Sequence, residues 1–495
     1  MVEEKKYIGF DFGAESGRCV VAILNKDHLE LNEVHRFPTH NYKDETGSHW
    51  NTKAIFNEIV TGLMKAGNKF GSHFESIGVD TWGVDYALID EKNELLHDPF
   101  HYRDDRTDNI MEEAFSIVSK EQIYSIAGIQ FMQFNTLFQL LADMKNNPSK
   151  LSKATMMLLM PDYLNFLLTG VKSAEYTIAS TTSLIDPSVR DWAWELVEAF
   201  GIPKGIFAEI VESGTRLGTL LSDIANQVGL SADIPVIASA GHDTASAVVS
   251  VPADDDNWAF LSSGTWSLMG VEIKDPILNK DALKYNFTNE GGFENTIRFL
   301  KNIIGLWPIQ ECRRYWKSKG NEYSYQYLTD KASETGNSGR WINLNDARFL
   351  KAGNMPLKIN SFLEETEQEP ADNIGDIIRI VLESLAFNYK KTLEEIEKIT
   401  HNKIAKLHAV GGGIQNELLN QLAADALGID VIAGPIEGTI VGNIGVQAIA
   451  TNAVDDLTEW RKVVRNSFSP KVYKPKNTRY FDENREKFDT VCDPS

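Results

Sequence analysis

Two similar strand–turn–strand segments constrain the fold of this chain more than any other feature of its sequence. The first spans residues 7–24 and turns at Gly13–Gly17, and the second spans residues 258–273 and turns at Ser262–Thr265. Each places glycine and small polar residues between two apolar runs, which is the pattern of a β-hairpin. Because one hairpin stands near the start of each half, we predict two α/β halves that open alike.

The length of the chain supports a division near its middle. Its 495 residues exceed the roughly 250–300 residues at which a single core usually stops growing. A proline and an acidic run, Pro252-Ala253-Asp254-Asp255-Asp256, lie close to the midpoint and suit a solvated boundary. We therefore predict an N-terminal domain over 1–250 and a C-terminal domain over 251–495.

Charge and cysteine content restrict the partners and the location. The chain has 49 basic and 70 acidic residues, a net charge of −21, which is unlike a nucleic-acid binder and unfavourable beside an anionic membrane. The 3 cysteines are scattered, and Met1 to Lys6 lead into a strand without an apolar leader core. We expect a cytoplasmic monomer or small homo-oligomer with no nucleic-acid or membrane partner.

Local patterns predict the elements around the first hairpin and the later helices. A third strand over Leu29–Phe37, a helix capped by Asn51 and a buried strand over Ser76–Thr81 give an α/β start with a mixed sheet. Apolar residues at helical spacing predict a long amphipathic helix over 374–398. The polar segment Tyr323–Arg340 is interpreted as a loop or excursion.

The first hairpin has the composition of a phosphate loop. Its glycines let backbone amides converge on an anion, Ser16 adds a hydroxyl and Arg18 adds a cation. Asp11, at the end of the strand, supplies the hard oxygen ligand that Mg²⁺ prefers, directly or through water. The alternative is that Gly13–Gly17 is an ordinary hairpin turn.

The second hairpin and a later glycine run extend this hypothesis. Two such hairpins, one from each half, are what two lobes that clamp a triphosphate need. Gly411-Gly412-Gly413 lies between a predicted strand and a predicted helix, where an adenine or ribose can lie against the backbone. Tight packing of the strand on the helix is the alternative explanation for this run.

Two further segments follow predicted strands. Gly241-His242-Asp243-Thr244 comes after the strand Pro235–Ala240, and α/β enzymes place their chemistry at such strand ends. Asp243 could take a proton from a substrate hydroxyl, or it could cap a helix over Thr244–Val249. Asp80–Asp85 offers the face of Trp82 and the bare backbone of Gly83, and both suit a sugar.

In this order, these segments resemble the FGGY family of carbohydrate kinases, and the resemblance covers nearly the whole chain. It implies two ribonuclease H-like domains of the actin/hexokinase type, with mixed sheets flanked by helices and the active site in the interdomain cleft. The ordered set of motifs is specific. The matching motifs are the hairpin at 11–18, Asp80–Asp85, Tyr102–Asp104 with Arg106-Thr107, Phe134–Thr136, His242–Ala245, Ser263–Ser267, Arg298–Asn302, Gly305–Trp307 and Gly411–Asn416.

The resemblance implies a sugar-binding and phosphate-loop domain over 1–250 and a nucleotide-binding domain over 251–495. It also implies a role for each matching position. Asp243 is the general base, and Asp11 is a carboxylate associated with Mg²⁺. The residues implied to line the sugar are Gly83, His242, Asp243, Thr244 and Asn302. The residues implied to contact ATP are Ala14, Glu15, Ser16, Gly17, Arg18, Thr265, Gln310 and Gly412. An acid at Glu15 is unfavourable beside a triphosphate unless it points away or helps to hold the metal.

The same resemblance implies a reaction. It is strongest to family members that act on L-rhamnulose, and it implies transfer of the γ-phosphoryl of Mg-ATP to the C1 hydroxyl in L-rhamnose catabolism. Other substrates, L-fuculose, a xylulose-like ketose or a polyol, are the nearest alternatives. A non-catalytic sugar or nucleotide sensor on the same fold is an alternative from another functional class.

Overall fold

The computed structural model describes residues 4–492, which form two compact units. The first unit contains residues 4–252, 272–299 and 438–468, and the second contains 253–271, 300–437 and 469–492. The assignment of sugar and nucleotide roles to 1–250 and 251–495 stays a prediction. Met1 to Glu3, the first residues of the segment predicted to have no apolar leader core, lie outside the described residues.

Up to residue 252, strands and helices alternate in a mixed α/β pattern. The strands are β1 (Lys5–Phe12), β2 (Ser16–Asn25), β3 (His28–Pro38), β4 (Asn41–Lys43), β5 (Ser48–Trp50), β6 (Ser76–Thr81), β7 (Tyr86–Ile89), β8 (Met156–Leu159), β9 (Ala174–Glu175), β10 (Ile185–Asp186), β11 (Asp191–Trp192), β12 (Ile210–Val211), β13 (Arg216–Thr219) and β14 (Pro235–Ile237). The helices are α1 (Thr52–Phe70), α2 (Ile110–Ile117), α3 (Lys120–Ala127), α4 (Thr136–Asn146), α5 (Pro148–Leu151), α6 (Met160–Thr169), α7 (Tyr176–Ala179), α8 (Trp194–Ala199), α9 (Ser222–Val228) and α10 (Asp243–Val249).

After residue 252 the helices are longer. The strands are β15 (Trp258–Ser263), β16 (Trp266–Ile273), β17 (Thr288–Gly291), β18 (Ile297–Ile304), β19 (Lys406–Val410), β20 (Asp430–Ala433) and β21 (Lys471–Tyr473). The helices are α11 (Lys280–Lys284), α12 (Trp307–Ser318), α13 (Tyr325–Thr335), α14 (Met355–Glu365), α15 (Ile374–Thr400), α16 (Glu417–Leu427), α17 (Gly438–Ala450), α18 (Leu457–Ser467) and α19 (Thr478–Cys492).

The first unit is built on a six-stranded sheet with the order β13-β14-β6-β1-β2-β3. β1 pairs antiparallel with β2 and parallel with β6, and β14 also pairs parallel with β6. Beyond the strands, Thr81 N donates to Gly241 O at 2.9 Å and Trp82 N donates to Phe12 O at 3.2 Å. The carboxyl ends of β1, β6 and the β14 segment therefore meet at one edge of the sheet, as the predicted mixed sheet requires.

Helix α17 packs on this sheet although it lies far along the chain. Ser76 Oγ donates to Gln447 Oε1 at 2.7 Å, and Gln447 Nε2 donates to Ile8 O at 3.1 Å. A Cβ atom added to Gly442 would lie 1.6 Å from Ser246 O, because α17 and α10 cross with their backbones in contact. Only glycine fits at this crossing, which fixes the position of α10 against the sheet.

The second unit contains most of a seven-stranded sheet with the order β17-β18-β16-β15-β19-β20-β21. β15 pairs antiparallel with β16 and parallel with β19. Helix α15, which confirms the long helix predicted over 374–398, buries most of its length. Tyr389 on this helix shares a hydrogen bond of 2.7 Å with Ser267 Oγ, which anchors the second hairpin.

The prediction of a loop over Tyr323–Arg340 is wrong, because α13 occupies Tyr325–Thr335. Ser324 Oγ accepts a hydrogen bond from Tyr327 N at 3.1 Å and caps the helix. Only Leu328 and Ala332 are buried, four residues apart. The apolar stripe is so narrow that the composition of the segment resembles that of a loop.

Cysteine placement and helix hydropathy add two observations. The three cysteines are buried thiols, and burial raises the pKa of the Cys19 and Cys312 thiols. Within residues 4–492, no helix combines the length and the apolar character needed to cross a lipid bilayer.

Candidate active site

The first predicted site element is the hairpin of β1 and β2. Asp11 and Arg18 face each other across it, and Arg18 Nη2 lies 2.9 Å from Asp11 Oδ2. Gly13 N donates to Ser16 O at 3.1 Å and closes the turn, while Glu15 and Ser16 are exposed. The turn presents Ala14–Arg18 at the strand ends where the β1, β6 and β14 segments meet.

Thr39, which directly follows β3, holds this turn. Its Oγ1 donates to Gly13 O at 2.6 Å, and its backbone N donates to Glu15 O at 3.0 Å. These bonds occupy the carbonyl oxygens of Gly13 and Glu15 and hold the turn in place. The sequence reading did not identify Thr39, which lies outside the hairpin.

Three carboxyl groups influence one another at the same edge of the sheet. Asp11 and Asp80 are partners in the parallel register of β1 and β6, and both are buried. Burial raises the pKa of Asp11, which Arg18 opposes, and the charge of Asp243 raises it further. Burial is the main effect that raises the pKa of Asp80 well above its usual value. The charge of Asp11 is the next largest effect, and the charge of Asp243 adds to it. Burial and neighbouring acidic groups therefore disfavour the ionised forms of Asp11 and Asp80.

Asp80 is held from beneath by α17. Asn443 Nδ2 donates to Asp80 Oδ2 at 2.6 Å, whereas Oδ1 of Asp80 is buried with no hydrogen-bond donor among residues 4–492. No three His, Cys, Asp or Glu side chains in that same part of the chain are placed to hold a metal together. A Mg²⁺ ion that keeps water and phosphate oxygens as most of its ligands needs only one carboxylate, and Asp11 as that ligand stays a prediction.

Asp243 begins helix α10, with His242 as its N-cap residue. The alternative in which Asp243 caps a helix from Thr244 is therefore wrong by one residue. The Asp243 side chain is 33% exposed, and Thr244 Oγ1 donates to its Oδ1 at 3.1 Å. A Cβ atom on Gly83 would lie 3.3 Å from His242 Nε2. Gly83, His242, Asp243 and Thr244 are therefore brought together.

A buried carboxylate that the sequence reading missed anchors the loop before α10. Glu175 Oε2 accepts hydrogen bonds from Gly241 N at 3.0 Å, Ile178 N at 3.1 Å and Thr177 Oγ1 at 2.6 Å. Thr177 Oγ1 in turn lies 3.3 Å from His242 N and accepts its hydrogen bond. Burial raises the pKa of Glu175, which hydrogen bonds from Ser213, Thr177 and Ile178 oppose. The anchor fixes the backbone that carries His242 and Asp243.

Trp82 is fixed by a second buried carboxylate. Asp85 Oδ2 accepts hydrogen bonds from Trp50 Nε1 at 2.6 Å, Trp82 Nε1 at 2.9 Å and Tyr102 N at 3.1 Å, and its Oδ1 accepts one from Gln139 Nε2 at 2.9 Å. Burial nevertheless raises the pKa of Asp85 to about 6. The indole of Trp82 is thus part of the core that supports Gly83.

The raised pKa of Asp85 predicts a pH-dependent stability. Between about pH 4 and 6 the unfolded chain has released this proton while the folded chain retains it, so stability falls as pH rises through this window. In Asp85→Asn this pH dependence disappears. Between about pH 4 and pH 7 the unfolding free energy of the variant should therefore rise by about 1–3 kcal/mol relative to that of wild type. Urea unfolding at both pH values measures the gain.

The control for this prediction is Asp27→Asn, which changes an exposed carboxylate of the same unit. It should keep the wild-type dependence of the unfolding free energy on pH. An unchanged pH slope in Asp85→Asn would contradict the prediction.

In the second unit, the second hairpin and the glycine run converge on Ser263. Thr265 Oγ1 donates to Gln310 Oε1 at 3.2 Å. Gly411 adopts φ 90°, and a Cβ atom there would lie 2.9 Å from Ser263 O. Gly412 has open space around its Cα. Gly411 thus serves tight packing, whereas Gly412 faces free space, and its contact with a nucleotide stays a prediction.

Asn302 is placed differently from the other residues predicted to line the sugar. It is half-buried on β18 in the second unit, whereas Gly83, His242, Asp243 and Thr244 belong to the first. Thr265, Gln310 and Gly412 share the second unit with it, and Ala14–Arg18 share the first with Asp243. The predicted residues therefore form one group in each unit.

Family models match both halves of the chain. The N-terminal domain of the FGGY family of carbohydrate kinases matches residues 6–250, and the C-terminal domain of that family matches residues 259–451. Together the two models cover most of the sequence.

Curated relatives agree over nearly the whole length. The chain is 43% identical over 466 residues to a rhamnulokinase of Halalkalibacterium halodurans, covering 94% of this chain and 98% of that protein. It is 41% identical over 471 residues to a rhamnulokinase of Bacillus subtilis, covering 95% and 96%.

Solved structures show the same fold at low sequence identity. A gluconate kinase from Lactobacillus acidophilus superposes with a TM-score of 0.80 at 17% identity, covering 99% of this chain and 97% of that one. A xylulose kinase from Rhodospirillum rubrum superposes with a TM-score of 0.80 at 17% identity and 98% coverage of both chains. These neighbours confirm the predicted actin/hexokinase-type fold with two sheet-containing domains. With the family models and the relatives, they show that this chain belongs to the FGGY family of carbohydrate kinases.

Proposed function

We propose that this enzyme transfers the γ-phosphoryl group of Mg-ATP to the C1 hydroxyl of L-rhamnulose, giving L-rhamnulose 1-phosphate in L-rhamnose catabolism. Relatives named rhamnulokinase, about 40% identical over nearly the whole chain, support this substrate. The observation that carries the chemistry is Asp243, a part-exposed carboxylate beside His242 at the carboxyl ends of parallel strands.

The sugar is bound, in this proposal, by Gly83, His242, Asp243 and Thr244, and Asn302 is a further residue predicted to line it. Gly83 supplies a backbone surface beside the His242 ring, where a bulkier residue would compete with the ketose. The anchored loop at Glu175 keeps the polar groups in place before the sugar arrives, which lowers the cost of binding.

The nucleotide is bound, in this proposal, by Ala14–Arg18 at its phosphates and by Thr265, Gln310 and Gly412. The amides of the first turn and the Arg18 guanidinium are suited to phosphate oxygens. Glu15 is exposed, so its side chain can remain in solvent while its backbone serves the turn. Its carboxylate is the least favourable group of this set beside a triphosphate.

The reaction follows from these placements. The C1 oxygen attacks the γ-phosphorus as the bond from that phosphorus to the β–γ bridging oxygen breaks, and ADP leaves. Asp243 accepts the C1 hydroxyl proton, and Arg18 and the turn amides stabilise negative charge on the moving group. A Mg²⁺ ion held through Asp11 would supply further neutralisation of phosphate charge. Positioning and electrostatics account for most of the acceleration.

A panel of sugars tests the substrate assignment. With Mg-ATP and coupled detection of ADP, L-rhamnulose is expected to give the highest kcat/KM among L-rhamnulose, L-fuculose, xylulose and polyols. A tenfold higher kcat/KM for any other sugar would overturn the assignment. Neighbours of the same fold include a gluconate kinase and a glycerol kinase, so the fold does not choose the sugar.

The same assay separates an enzyme from a sensor. A sensor would bind ATP and the sugar in calorimetry without forming ADP, whereas an enzyme forms ADP only when the sugar is present.

We also propose a cytoplasmic location, since the reaction draws on ATP, and a monomer or small homo-oligomer. Sedimentation of the purified chain measures its oligomeric state.

A further inference from the structure

A buried ion pair lies behind His242 in the first unit. Arg298 is 0% exposed and Glu290 is 4% exposed. Arg298 Nη2 lies 3.1 Å from Glu290 Oε2, and Arg298 Nε donates to Gly291 O at 2.8 Å. The ion pair and the hydrogen bond to Gly291 O fix the position of Arg298. Each charge of the pair compensates the other, because an unpaired buried charge would be costly.

The pair contacts the imidazole ring on the side away from Asp243. Arg298 Nη2 lies 3.2 Å from His242 Nδ1 in hydrogen-bond geometry, and Glu290 Oε2 also lies 3.2 Å from this nitrogen. Burial acts to raise the pKa of Glu290, but the charge of Arg298 is the largest opposing effect, and the pKa lies below its ordinary value. Glu290 therefore stays a carboxylate that compensates the guanidinium.

The chemistry of the guanidinium determines where the ring carries its proton. All nitrogen groups of arginine are donors and none is an acceptor. A hydrogen bond between Arg298 Nη2 and His242 Nδ1 therefore requires Nδ1 to accept, which leaves the proton of the neutral ring on Nε2. That nitrogen lies 3.4 Å from Asp243 Oδ1.

We propose that Arg298 and Glu290 are positioning residues that hold His242 as a hydrogen donor through Nε2 toward Asp243. Arg298 selects the tautomer, and Glu290 balances its charge. The Nε2 proton orients the carboxylate so that its other oxygen faces the sugar hydroxyl. Contacts of this kind in a ligand-free site shorten when substrate is bound. The catalytic part of this inference rests on the proposed kinase function, whereas the tautomer does not.

The tautomer is measured directly on the full chain. With ¹⁵N-labelled histidine, long-range proton–nitrogen spectra distinguish the two neutral tautomers, and a His242→Gln sample assigns the signal. Wild type is expected to show the proton on Nε2. In Arg298→Met the proton should move to Nδ1, where Glu290 becomes the partner. A wild-type ring with its proton on Nδ1, or an unchanged tautomer in Arg298→Met, would overturn the proposal.

Because Arg298→Met leaves the buried Glu290 carboxylate unpaired, this variant can fail to fold, and a second variant keeps the proposal testable. Arg298→Met with Glu290→Met removes both charges, and its ring should show a mixture of tautomers. Its kcat should fall at least 30-fold while KM for ATP stays within threefold of wild type. A kcat within threefold of wild type, or an equal loss of ATP binding, would show a purely structural role.

The control is Glu198→Gln, which breaks an ion pair with Lys204, at 3.0 Å, elsewhere in the same unit. It should leave both kcat and the His242 tautomer unchanged. If wild type phosphorylates no sugar, the proposed function fails, and the tautomer measurement still decides the positioning proposal. If wild type prefers another sugar, the kinetic comparison is made with that sugar.

Discussion

Replacing Asp243 with asparagine is expected to lower kcat for L-rhamnulose phosphorylation about 10²–10⁴-fold, the usual contribution of a positioned general base. The amide keeps the size of the side chain and can still accept the hydrogen bond from Thr244 Oγ1. It cannot take the proton of the C1 hydroxyl. KM for ATP should stay within about threefold of wild type, because the predicted nucleotide contacts lie on other residues.

Steady-state kinetics with coupled ADP detection measure this loss, and the thermal unfolding midpoint shows that the fold is retained. Asp27→Asn, an exposed change of the same chemistry, serves as the matched control and should keep wild-type kcat. A kcat for Asp243→Asn within tenfold of wild type would mean that another group takes the proton.

Gly442→Ala is expected to cause the largest loss of stability among conservative changes to the first unit. The added methyl would lie 1.6 Å from Ser246 O, which is backbone and cannot rotate away, so α10 and α17 must separate. Overpacking of this kind costs about 1–3 kcal/mol and occasionally more, and the better helix propensity of alanine recovers at most about 1 kcal/mol. Since α10 begins with Asp243, kcat should fall as well.

Urea unfolding followed by tryptophan fluorescence measures this loss, and Gly205→Ala is its control. A Cβ atom at Gly205 meets no atom within 4 Å, so that variant should unfold at the wild-type midpoint. A Gly442→Ala protein as stable as Gly205→Ala would show that the crossing of α10 and α17 is looser than the distances indicate.

The parts of the fold that depend on residues close together in the sequence could be predicted. The hairpins need only glycine turns between apolar runs, and the Asn51 cap needs one side chain that accepts from Ala54 N, at 2.9 Å in the structure. Helix α15 has an apolar face long enough to be recognised. Helix α13 does not, because its two buried residues give almost no periodic signal.

The supporting groups of the candidate site could not be predicted in the same way. Asn443 meets Asp80 across 363 positions of sequence, and no local pattern encodes such a pairing. Glu175 lies in a run of small polar residues that looks like a surface loop, yet tertiary packing buries it completely. Arg298 belongs to a recognised motif, but its contact with His242 is visible only once β18 is placed.

The interleaved path of the chain through the two units has a consequence for biosynthesis. The ribosome releases β1, β6 and α10 long before α17, whose residues lie between 438 and 450. Until then Ile8, Gly78 and Ser246 lack the helix that covers them, so apolar sheet surface stays open to non-native association. A nascent chain of this enzyme must therefore protect its first sheet, by transient collapse or by a chaperone, for most of its translation.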